Sequence, residues 1–373
     1  MEKPVRLSIV IPCFNEGKTL QRCVERTLCI ADKHLTLEII IIDDGSTDQS
    51  LSVAGHLAIK YPQVSVIRHK INLGKGAALR SGFQKAAGDY VAVQDADLEY
   101  NPAELKKLLT PLLEDHADVV LGSRFLSPDP HRVLYFWHYA GNRFLTLVSN
   151  MMTDLNLTDM ETCYKVFRRD VLERITIEEN GFGFEAEIVA KVAHLRLRIY
   201  EMGISYYGRT YEEGKKIGFK DGLWTLYCIF RYNAPRAPLP VQLLIYFFIG
   251  GAAAAVNLTL FLWMSYGGWR VIPAAAGAFL AAAAANYLLC VLLLFRHRAR
   301  WKSGAEVLCY ILIVGIVGAL DAATTHFFIE SGISPWVSKL IASFLGFVWN
   351  FLGRRFFVFP EPPSGPWKPQ VGK

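Results

Sequence analysis

The sequence of 373 residues lacks the patterns of several common chemistries. Its seven cysteines form no CxxC pair and their number is odd, which argues against a disulfide framework and favours buried thiols in a reducing compartment. There is no GxxxxGK[ST] loop, so ATPase chemistry is disfavoured. No apolar stretch near the N-terminus has the length of a signal peptide, and we expect the first domain to stay in the cytoplasm.

Acidic residues become scarce after Pro240. Up to that point the chain holds 30 Lys and Arg and 30 Asp and Glu, whereas the remainder holds 10 and 4. The formal net charge of +6 therefore belongs to the second, apolar part. Basic charge beside apolar segments indicates orientation in a membrane, and no nucleic-acid partner is expected.

Short runs rich in Val and Ile alternate with stretches of helical length in the first part. The runs are LSIVIPCF, LEIIIIDD, VSVIRH, DYVAVQDAD and DVVLGSR. This alternation predicts an α/β fold, Rossmann-like, with a mostly parallel sheet covered on both faces. Such sheets bind ligands beyond the carboxyl ends of their strands.

Four apolar segments follow, and each has the ~20 residues that cross a bilayer. They lie at roughly 241–264, 272–295, 305–329 and 335–357. We therefore predict an all-α membrane domain of four transmembrane helices. The basic loop RHRARWK and the arginines at both outer ends predict that both termini and this loop are cytoplasmic. The predicted division is a first domain at 1–232, a linker at 233–240, a membrane domain at 241–360 and a tail at 361–373.

The membrane part repeats itself at an offset of 64 residues. The matched pairs are Tyr246 and Tyr310, Gly251 and Gly315, Asn257 and Asp321, Asn286 and Asn350, and Phe295 and Phe359. Each copy is a helix pair, so the two copies form a parallel repeat. The paired polar residues either line a passage for a sugar head group or hydrogen-bond the helices to one another.

The segment QDADLE lies at the end of a predicted strand. Because residues i and i+2 of a strand face the same side, Asp95, Asp97 and Glu99 can converge on one hard cation, Mg²⁺ or Mn²⁺. A diphosphate leaving group needs such a cation. The alternative is a solvated turn.

Two further loops fit a nucleotide ligand. In DDGSTD, at 43–48, a carboxylate can accept hydrogen bonds from a nucleobase, or the segment can cap a helix. In NLGKG, at 72–76, Lys75 can reach a phosphate.

In order and spacing, IVIPCFNEGKTL, IIIDDGSTD, NLGKGAALRSGF, QDADLEY and GSRF resemble the landmarks of family 2 glycosyltransferases with the GT-A fold. The later stretches GNRF, DMETCYKVF, GFGFEAEI and YYGRTYEEGKKIGFKDG resemble the polyprenyl-phosphate hexose synthases within that family. The last 130 residues or so, including the stretch at 350–359, resemble the GtrA-like four-helix membrane family.

The resemblance implies metal-dependent, inverting transfer of a hexose from a UDP- or GDP-sugar onto undecaprenyl or dolichyl phosphate, at the cytoplasmic face of a membrane. It places the nucleotide-sugar at Pro12, Phe14, Glu16, Ile42, Asp44, Lys75, Asp95 and Ala96. It places the metal at Asp95, Asp97 and Glu99, the catalytic contacts at Asp97 and Arg124, and acceptor or phosphate contacts at Arg209, Lys215 and Lys216.

A phosphate acceptor has a second pKa of about 6 and is largely ionised at neutral pH, so no general base is required. Glu185 and Glu187 of the FEAE stretch are therefore candidates for contacts with the sugar and not for a base. Association of the chain with further copies of itself stays open.

Other interpretations remain open at this point. A processive polysaccharide synthase normally carries a QxxRW motif, which is absent. A nucleotidyltransferase would have a glycine-rich loop where this sequence reads PCFNEGKTL. A translocator of lipid-linked sugars with a degenerate regulatory domain would not need the intact acidic motif. Transfer to a different lipid acceptor fits the same residues.

Overall fold

The structure, a computed structural model, describes residues 4–126, 132–133, 135–209, 218–295 and 303–359. The chain divides into two compact units, Met1–Tyr232 and Asn233–Lys373. Each unit has its own architecture, and the two are described separately.

The first unit is built on a seven-stranded sheet in the order β3-β2-β1-β4-β6-β5-β7. The strands are β1 Val5–Cys13, β2 Leu35–Asp43, β3 Val64–Arg68, β4 Tyr90–Val93, β5 Val119–Ser123, β6 Lys165–Arg168 and β7 Ile199–Gly203. Only β6 is antiparallel to its neighbours. The predicted α/β fold with a mostly parallel sheet is confirmed.

Eight helices of this unit connect and cover the strands. They are α1 Leu20–Leu28, α2 Ser50–Lys60, α3 Lys75–Lys85, α4 Glu104–Leu113, α5 Phe136–Thr153, α6 Arg169–Glu173, α7 Phe184–His194 and α8 Phe219–Asn233. The four isoleucines at 39–42 in β2 are completely buried, because a central parallel strand is covered on both faces. Burying each such side chain contributes about 1.5–3 kcal/mol.

The order of the strands creates a crevice at one point of the sheet. The chain runs from β1 through β2 to β3 at one edge and then returns to β4 on the other side of β1. A parallel sheet leaves a crevice beyond the carboxyl ends of its strands where the order reverses in this way. Phe14 follows β1 and Asp95 follows β4 closely, so both lie at this switch point.

The described residues of the second unit include a short 3₁₀ turn, Ala234–Arg236, and four long helices. They are α9 Leu239–Tyr266, α10 Val271–Leu289, α11 Ser303–Glu330 and α12 Pro335–Gly353. Among the described residues, three segments are long and apolar enough to cross a membrane. They lie in α9, in α10 with the turn after it, and in α11. In the same part of the chain, α12 does not combine the required length and hydropathy. An all-α membrane domain is thus confirmed, and four crossings stay a prediction.

Two irregular turns in the helices lie at the spacing of the predicted repeat, which itself stays a prediction. A π-helical turn, Cys290–Phe295, follows α10, and a second one, Arg354–Val358, follows α12, at the offset of the sequence repeat. The rings of Phe295 and Phe359 stack, with centroids 4.8 Å apart and planes at 13°. We call this pair the aromatic clasp. It joins the end of one helix pair to the end of the other.

Polar residues within the apolar helices take part in helix contacts. Asn286 accepts a hydrogen bond from Arg354, whereas the side-chain oxygen of Asn350 is buried without a partner among the described residues. Asn257 and Asp321 are half-buried. The contact of Asn286 is of the helix-joining kind. Whether these residues also form a passage stays a prediction.

Candidate functional site

The turns after the first two strands are tied to each other. Asn15, just after β1, has a left-handed backbone (φ 56°), a conformation in which Asn is enriched. Its side-chain oxygen accepts a hydrogen bond from the N–H of Thr47 (2.8 Å), and its own N–H donates to the hydroxyl of Ser46 (3.1 Å). The DDGSTD segment therefore fixes the turn that carries Phe14 and Glu16.

Asp44 organises the NLGKG loop. It is 3% exposed; its carboxylate accepts the N–H groups of Leu73 (3.0 Å) and Gly74 (2.7 Å) and lies 2.6 Å from His69 Nδ1. Gly74 has a φ of +98°, and a Cβ there would lie 2.4 Å from the carbonyl oxygen of Asn180, so the position requires glycine. A nucleobase would use only the acceptor capacity that remains on Asp44.

Lys75 is the first residue of α3 and the cation of the same loop. Its Nζ lies 3.1 Å from Asp95 Oδ1 and 3.0 Å from Glu185 Oε1. Burial lowers the pKa of Lys75, but the two carboxylates outweigh burial and hold this pKa well above its usual value. The ammonium group therefore stays charged at the wall of the site, where it can contact a phosphate.

The acidic motif lies in a turn, because β4 already ends at Val93. Leu98 has a left-handed backbone (φ 64°), which costs roughly 1 kcal/mol or more for a residue with a Cβ. Asp97 Oδ1 accepts the N–H of Glu99 at 3.1 Å. The sequence-based explanation, in which residues i and i+2 of a strand face the same side, is therefore wrong for this segment. A strained turn is what brings Asp95 and Asp97 to one cavity.

Arg209 is the counter-ion of this turn. Its guanidinium lies 3.0 Å from Asp97, 3.2 Å from Glu99 and 3.4 Å from Glu16. Glu99 also accepts the hydroxyl of Tyr206 (2.8 Å) and the main-chain N–H of Arg209 (2.9 Å). Burial, and then the neighbouring carboxylates, still raises the pKa of Asp97 to about 7. The cluster thus carries more negative charge than one guanidinium neutralises.

The oxygen donors of this turn suit a hard divalent cation only in part. Mg²⁺ is commonly held by one or two carboxylates together with substrate phosphates, and Asp95 and Asp97 supply two. Both oxygens of Glu99 are engaged by Arg209 and Tyr206. Within the described ranges no group of three or more His, Cys, Asp or Glu is arranged to hold an ion. Both oxygens of Asp97 are engaged as well, by Arg209 and by the N–H of Glu99, so the metal roles of the three carboxylates stay predictions.

Arg124 follows β5 and is fixed by Asp159. Its Nε and Nη2 donate to the two carboxylate oxygens at 2.7 Å each, and its main-chain N–H adds a bond of 3.0 Å. Asp159 is completely buried, and such bidentate pairs are strong and directional. The guanidinium carbon also lies 5.2 Å from the ring centre of Tyr206. Among the described residues Nη1 has no hydrogen-bond partner, so it can donate to a ligand.

Two further glutamates line the same cavity. Glu185, in the first turn of α7, is 4% exposed; its Oε1 contacts Lys75, and its Oε2 has no hydrogen-bond partner in the described part of the chain. Glu161 Oε1 is buried and equally without a partner there. Burial, and then the charge of Glu185, raises the pKa of Glu161 to about 8. Glu161 is therefore mostly neutral at pH 7.

Glu187, the other acid of FEAE, has a structural task. Its carboxylate accepts the N–H groups of Glu178 (2.7 Å) and Glu179 (2.8 Å) and lies 2.5 Å from Lys191 Nζ. It is completely buried. The expectation that Glu187 contacts a sugar is wrong, because its oxygens fix the loop before α7.

One cavity of about 890 Å³ collects the site residues. Those on its wall that the sequence predicts are Pro12, Phe14, Glu16, Asp44, Lys75, Asp95, Ala96, Asp97, Glu99, Arg124 and Arg209. Ile42 does not line it: this side chain is completely buried, and its Cδ1 lies 2.9 Å from where a Cβ on Gly82 would be. Lys215 and Lys216 lie outside the described residues. The individual roles stay predictions.

Another part of the cavity wall is apolar and comes from α5, α8 and the residue before α5. It includes Tyr135, Trp137, Phe144, Leu145, Leu223 and Leu226. Trp137 is 82% exposed, and Phe144 and Leu223 are each 53% exposed. Large exposed apolar side chains beside a cleft mark a surface that meets an apolar ligand or a lipid.

Sequence patterns did not identify Asp159, Glu161 and Tyr206 as site residues. The first two precede β6, whose antiparallel pairing with β4 and β5 brings the DMETCYKVF stretch beside the site. The resemblance of that stretch to a family was the only signal, and it gave no roles. Tyr206 follows β7, a strand without a Val- or Ile-rich run.

Comparison with known proteins gives a separate match for each of the two units of the chain. Residues 8–176 match Glycosyl transferase family 2, and residues 245–359 match the GtrA/DPMS transmembrane domain. Undecaprenyl-phosphate mannosyltransferase of Micrococcus luteus is 30% identical over 226 residues, which are 57% of this chain and 88% of that protein. Dolichol-phosphate mannosyltransferase of Pyrococcus furiosus is 28% identical over 217 residues, 57% of this chain and 61% of that protein.

The extent of the matches varies. The chain spans about half the length of another curated relative, 54%. Among solved structures, glucosyl-3-phosphoglycerate synthase from Mycobacterium tuberculosis has 18% sequence identity and a TM-score of 0.49, covering 61% of this chain and 80% of that chain. On the match to the Micrococcus protein and the two domain matches, this chain belongs to glycosyl transferase family 2 and carries a GtrA/DPMS transmembrane domain in its C-terminal part.

Proposed function

We propose that the chain transfers a hexose from a nucleotide-sugar onto polyprenyl phosphate, with a divalent cation and with inversion at the anomeric carbon. The two kinds of wall in one cavity carry this proposal. Carboxylates and fixed cations suit a sugar diphosphate, and the apolar side chains of α5 and α8 suit an isoprenoid chain. The names of the two mannosyltransferase relatives support the same reaction.

On the donor side, Asp95 and Asp97 would hold Mg²⁺ or Mn²⁺. When bound, such an ion neutralises the charge that develops on the departing diphosphate. Arg209 would then exchange its contacts with Asp97 for phosphate oxygens, and Lys75 would contact the same diphosphate. The turn framed by DDGSTD would hold the nucleoside through Phe14.

On the acceptor side, the residues have to position an anion that is already a nucleophile. A phosphate oxygen attacks the anomeric carbon, the bond from that carbon to the diphosphate oxygen breaks, and the nucleoside diphosphate leaves with the electron pair. No proton has to move. Arg124, through Nη1, and Arg209 would hold the two anions, with Lys215 and Lys216 as further predicted contacts. Orientation and neutralisation therefore supply the rate.

We also propose that the first unit, both termini and the loop at 296–302 face the cytoplasm. The distribution of Lys and Arg beside the apolar segments supports this orientation. Protease digestion of sealed, inside-out vesicles should remove the first unit, whereas right-side-out vesicles should protect it.

The proposed reaction is tested with the purified full chain, a panel of UDP- and GDP-hexoses and a short polyprenyl phosphate, with products identified by mass spectrometry. We expect a polyprenyl-phosphate hexose, no product from the free polyprenol, and no turnover in EDTA until Mg²⁺ or Mn²⁺ is restored. Equal rates with the alcohol and its phosphate would refute the acceptor, and full activity in EDTA would refute the role of the metal.

A further inference from the structure

The cavity contains two buried acceptor atoms that the reaction proposed above leaves unused. They are Glu161 Oε1 and Glu185 Oε2, and neither has a hydrogen-bond partner among the residues that the structure describes. A buried polar atom left unpaired costs about 1–3 kcal/mol, so two of them at one site call for an explanation, and the hydroxyl groups of a bound ligand would supply one. Neither group is needed as a base, because the acceptor is already ionised.

The two glutamates lie beside the groups assigned to the reacting phosphates. Glu185 shares Lys75 with Asp95, at 3.0 and 3.1 Å from the ammonium nitrogen. Glu161 lies within range of the charges of both Glu185 and Arg124. The transferred sugar has to sit between the diphosphate that it leaves and the phosphate that it joins. We call the two unpaired atoms, Glu161 Oε1 and Glu185 Oε2, the orphan oxygens; their residues line the same cavity as Lys75 and Arg124.

We propose that Glu161 and Glu185 form the binding surface for the transferred sugar and select a neutral, polyhydroxylated hexose. The inference rests on the function proposed above and names its specificity residues. Each orphan oxygen accepts a hydrogen bond from a sugar hydroxyl, and this contact is lost when that hydroxyl is missing. Sites built to pair with a hydroxyl discriminate strongly against analogues that lack it.

The same surface rejects a sugar that carries a carboxylate. A uronic acid would place a second anion beside Glu185, whose contact cation, Lys75, is already shared with Asp95. The other nearby cation, Lys165, is completely buried and donates to a main-chain carbonyl. Repulsion between like charges is strong where water is excluded. Glu161 is mostly neutral at pH 7, since its pKa is about 8, so it can donate as well as accept a hydrogen bond.

The test measures binding, by calorimetry on the full chain with Mn²⁺, of a nucleoside diphosphate and of the matching nucleotide-hexose. We expect Glu161→Met and Glu185→Gln each to weaken nucleotide-hexose binding roughly 10- to 100-fold, the value of a lost hydrogen bond to a charged or buried group. Affinity for the nucleoside diphosphate should stay within about twofold. Glu161→Gln, which keeps a donor and an acceptor, should restore most of the loss seen in Glu161→Met.

Glu187→Gln is the matched control on the same helix, since its carboxylate holds main-chain N–H groups outside the cavity. It should lower the melting temperature and leave the ratio of the two affinities unchanged. Monodeoxy donors sharpen the test: the deoxy position that weakens binding to the wild type should cause no further loss in the variant that lacks its partner. Nucleotide-uronic acids should bind better to Glu185→Gln than to the wild type.

The inference is overturned if Glu161→Met and Glu185→Gln weaken both ligands by the same factor, or leave hexose binding unchanged. Failure of the proposed function looks different. In that case nucleotide-hexose binding would still respond to these substitutions, but no sugar would reach polyprenyl phosphate.

Discussion

The two units of the chain treat apolar surface in opposite ways. In the first unit the apolar runs of β1 and β2 are buried in the sheet. In the second unit the most apolar stretches of three helices are mostly not covered by protein. Only 22% of this stretch is buried in α9, 33% in α10 with its following turn, and 6% in α11. Apolar side chains stabilise a fold when they leave water. The difference shows that the second unit is built for a lipid solvent.

The units also use charge differently. In the first unit Lys75 and Arg209 contact carboxylates on the wall of an open cavity, where a ligand can exchange these partners. In the second unit Arg354 is 3% exposed and is held by an amide, a hydroxyl and two aromatic rings. Charge at the cavity thus serves a ligand, and charge in the helices serves packing.

Asp97→Ala tests the charged groups of the cavity, and of all the changes it should have the largest effect on transfer. We expect transfer to fall roughly 10²- to 10³-fold, as when one electrostatic group is removed from a reacting centre. The melting temperature should not fall, because burial and neighbouring carboxylates raise the pKa of Asp97 to about 7 and so make its ionised form costly. Asp115→Ala is the control: this exposed carboxylate pairs with Arg198. An unimpaired Asp97→Ala enzyme would refute the site.

Arg354→Met tests whether charge within the helices of the second unit serves packing. Nη2 donates to the hydroxyl of Tyr310 at 3.0 Å, and Nη1 contacts Asn286. Without the guanidinium these two groups lose a buried partner, and we expect a loss of about 1–3 kcal/mol of stability. Thermal aggregation in detergent should begin at a lower temperature, with transfer per folded molecule unchanged. Arg270→Met, at an exposed position before α10, should change neither. Full stability combined with lost transfer would reverse the assignment.

Glu161→Gln should give a smaller, pH-dependent gain in stability. The folded-state pKa is about 8 against an ordinary value of 4.5, so between these pH values the folded chain binds a proton that the unfolded chain releases. Stability therefore falls as pH rises through this window and is level above it. Each pKa unit is worth about 1.4 kcal/mol. Glutamine removes the slope, so the variant should melt higher than the wild type at pH 8 and about equally at pH 4.5.

Melting curves at pH 4.5, 6, 7 and 8 measure this slope. Glu173→Gln serves as the control, since that exposed carboxylate pairs with Arg169 one helical turn away and should leave the slope unchanged. Parallel curves for the wild type and Glu161→Gln would show that the pKa of Glu161 is not raised in the folded chain, and would contradict the prediction.

Cysteine labelling should have the smallest effect on activity. It tests directly whether the surface of each unit faces water or lipid. Cys29 is exposed, whereas Cys13 is buried and burial raises its pKa to about 12. A charged maleimide should therefore modify Cys29 and spare Cys13, and Cys29→Ser should remove the signal without changing transfer. Cys309, partly exposed on α11, should react with an uncharged reagent that enters lipid. Equal reaction of Cys309 with the charged reagent would contradict a lipid environment.

How far the fold can be predicted from the sequence depends on the length of each pattern. β1 and β2 are nine residues each and contain the apolar runs IVIP and IIII, and the membrane helices are long apolar runs, so the length of the apolar pattern identifies both. β6 has four residues, KVFR, and β7 reads IYEMG. Strands this short contain too few residues to show a recognisable hydrophobic pattern. The pairing of β6 with β4 and β5 depends on tertiary contacts.

The site was predictable where a local motif carries the chemistry and not where distant segments meet. QDADLE contains both Asp95 and Asp97, which line the cavity. The partner of Arg124 lies 35 residues further along the chain, and no local pattern connects them. A motif position also does not say where a side chain points. Glu187 fixes a loop and Ile42 packs against α3, although Glu185 and Asp44 of the same two segments line the cavity.

The aromatic clasp bears on the origin of the membrane unit. Phe295 and Phe359 stack at the ends of the two helix pairs. If these pairs are copies of one unit, as predicted, a single copy would end in a ring with nothing to stack against. A shorter protein with one copy would have to find a second molecule, and its assembly would depend on concentration. Tandem duplication fixes the effective concentration of the partner within one chain. The two helix pairs, produced as separate polypeptides, should accordingly reassemble, and Phe359→Ala should prevent it.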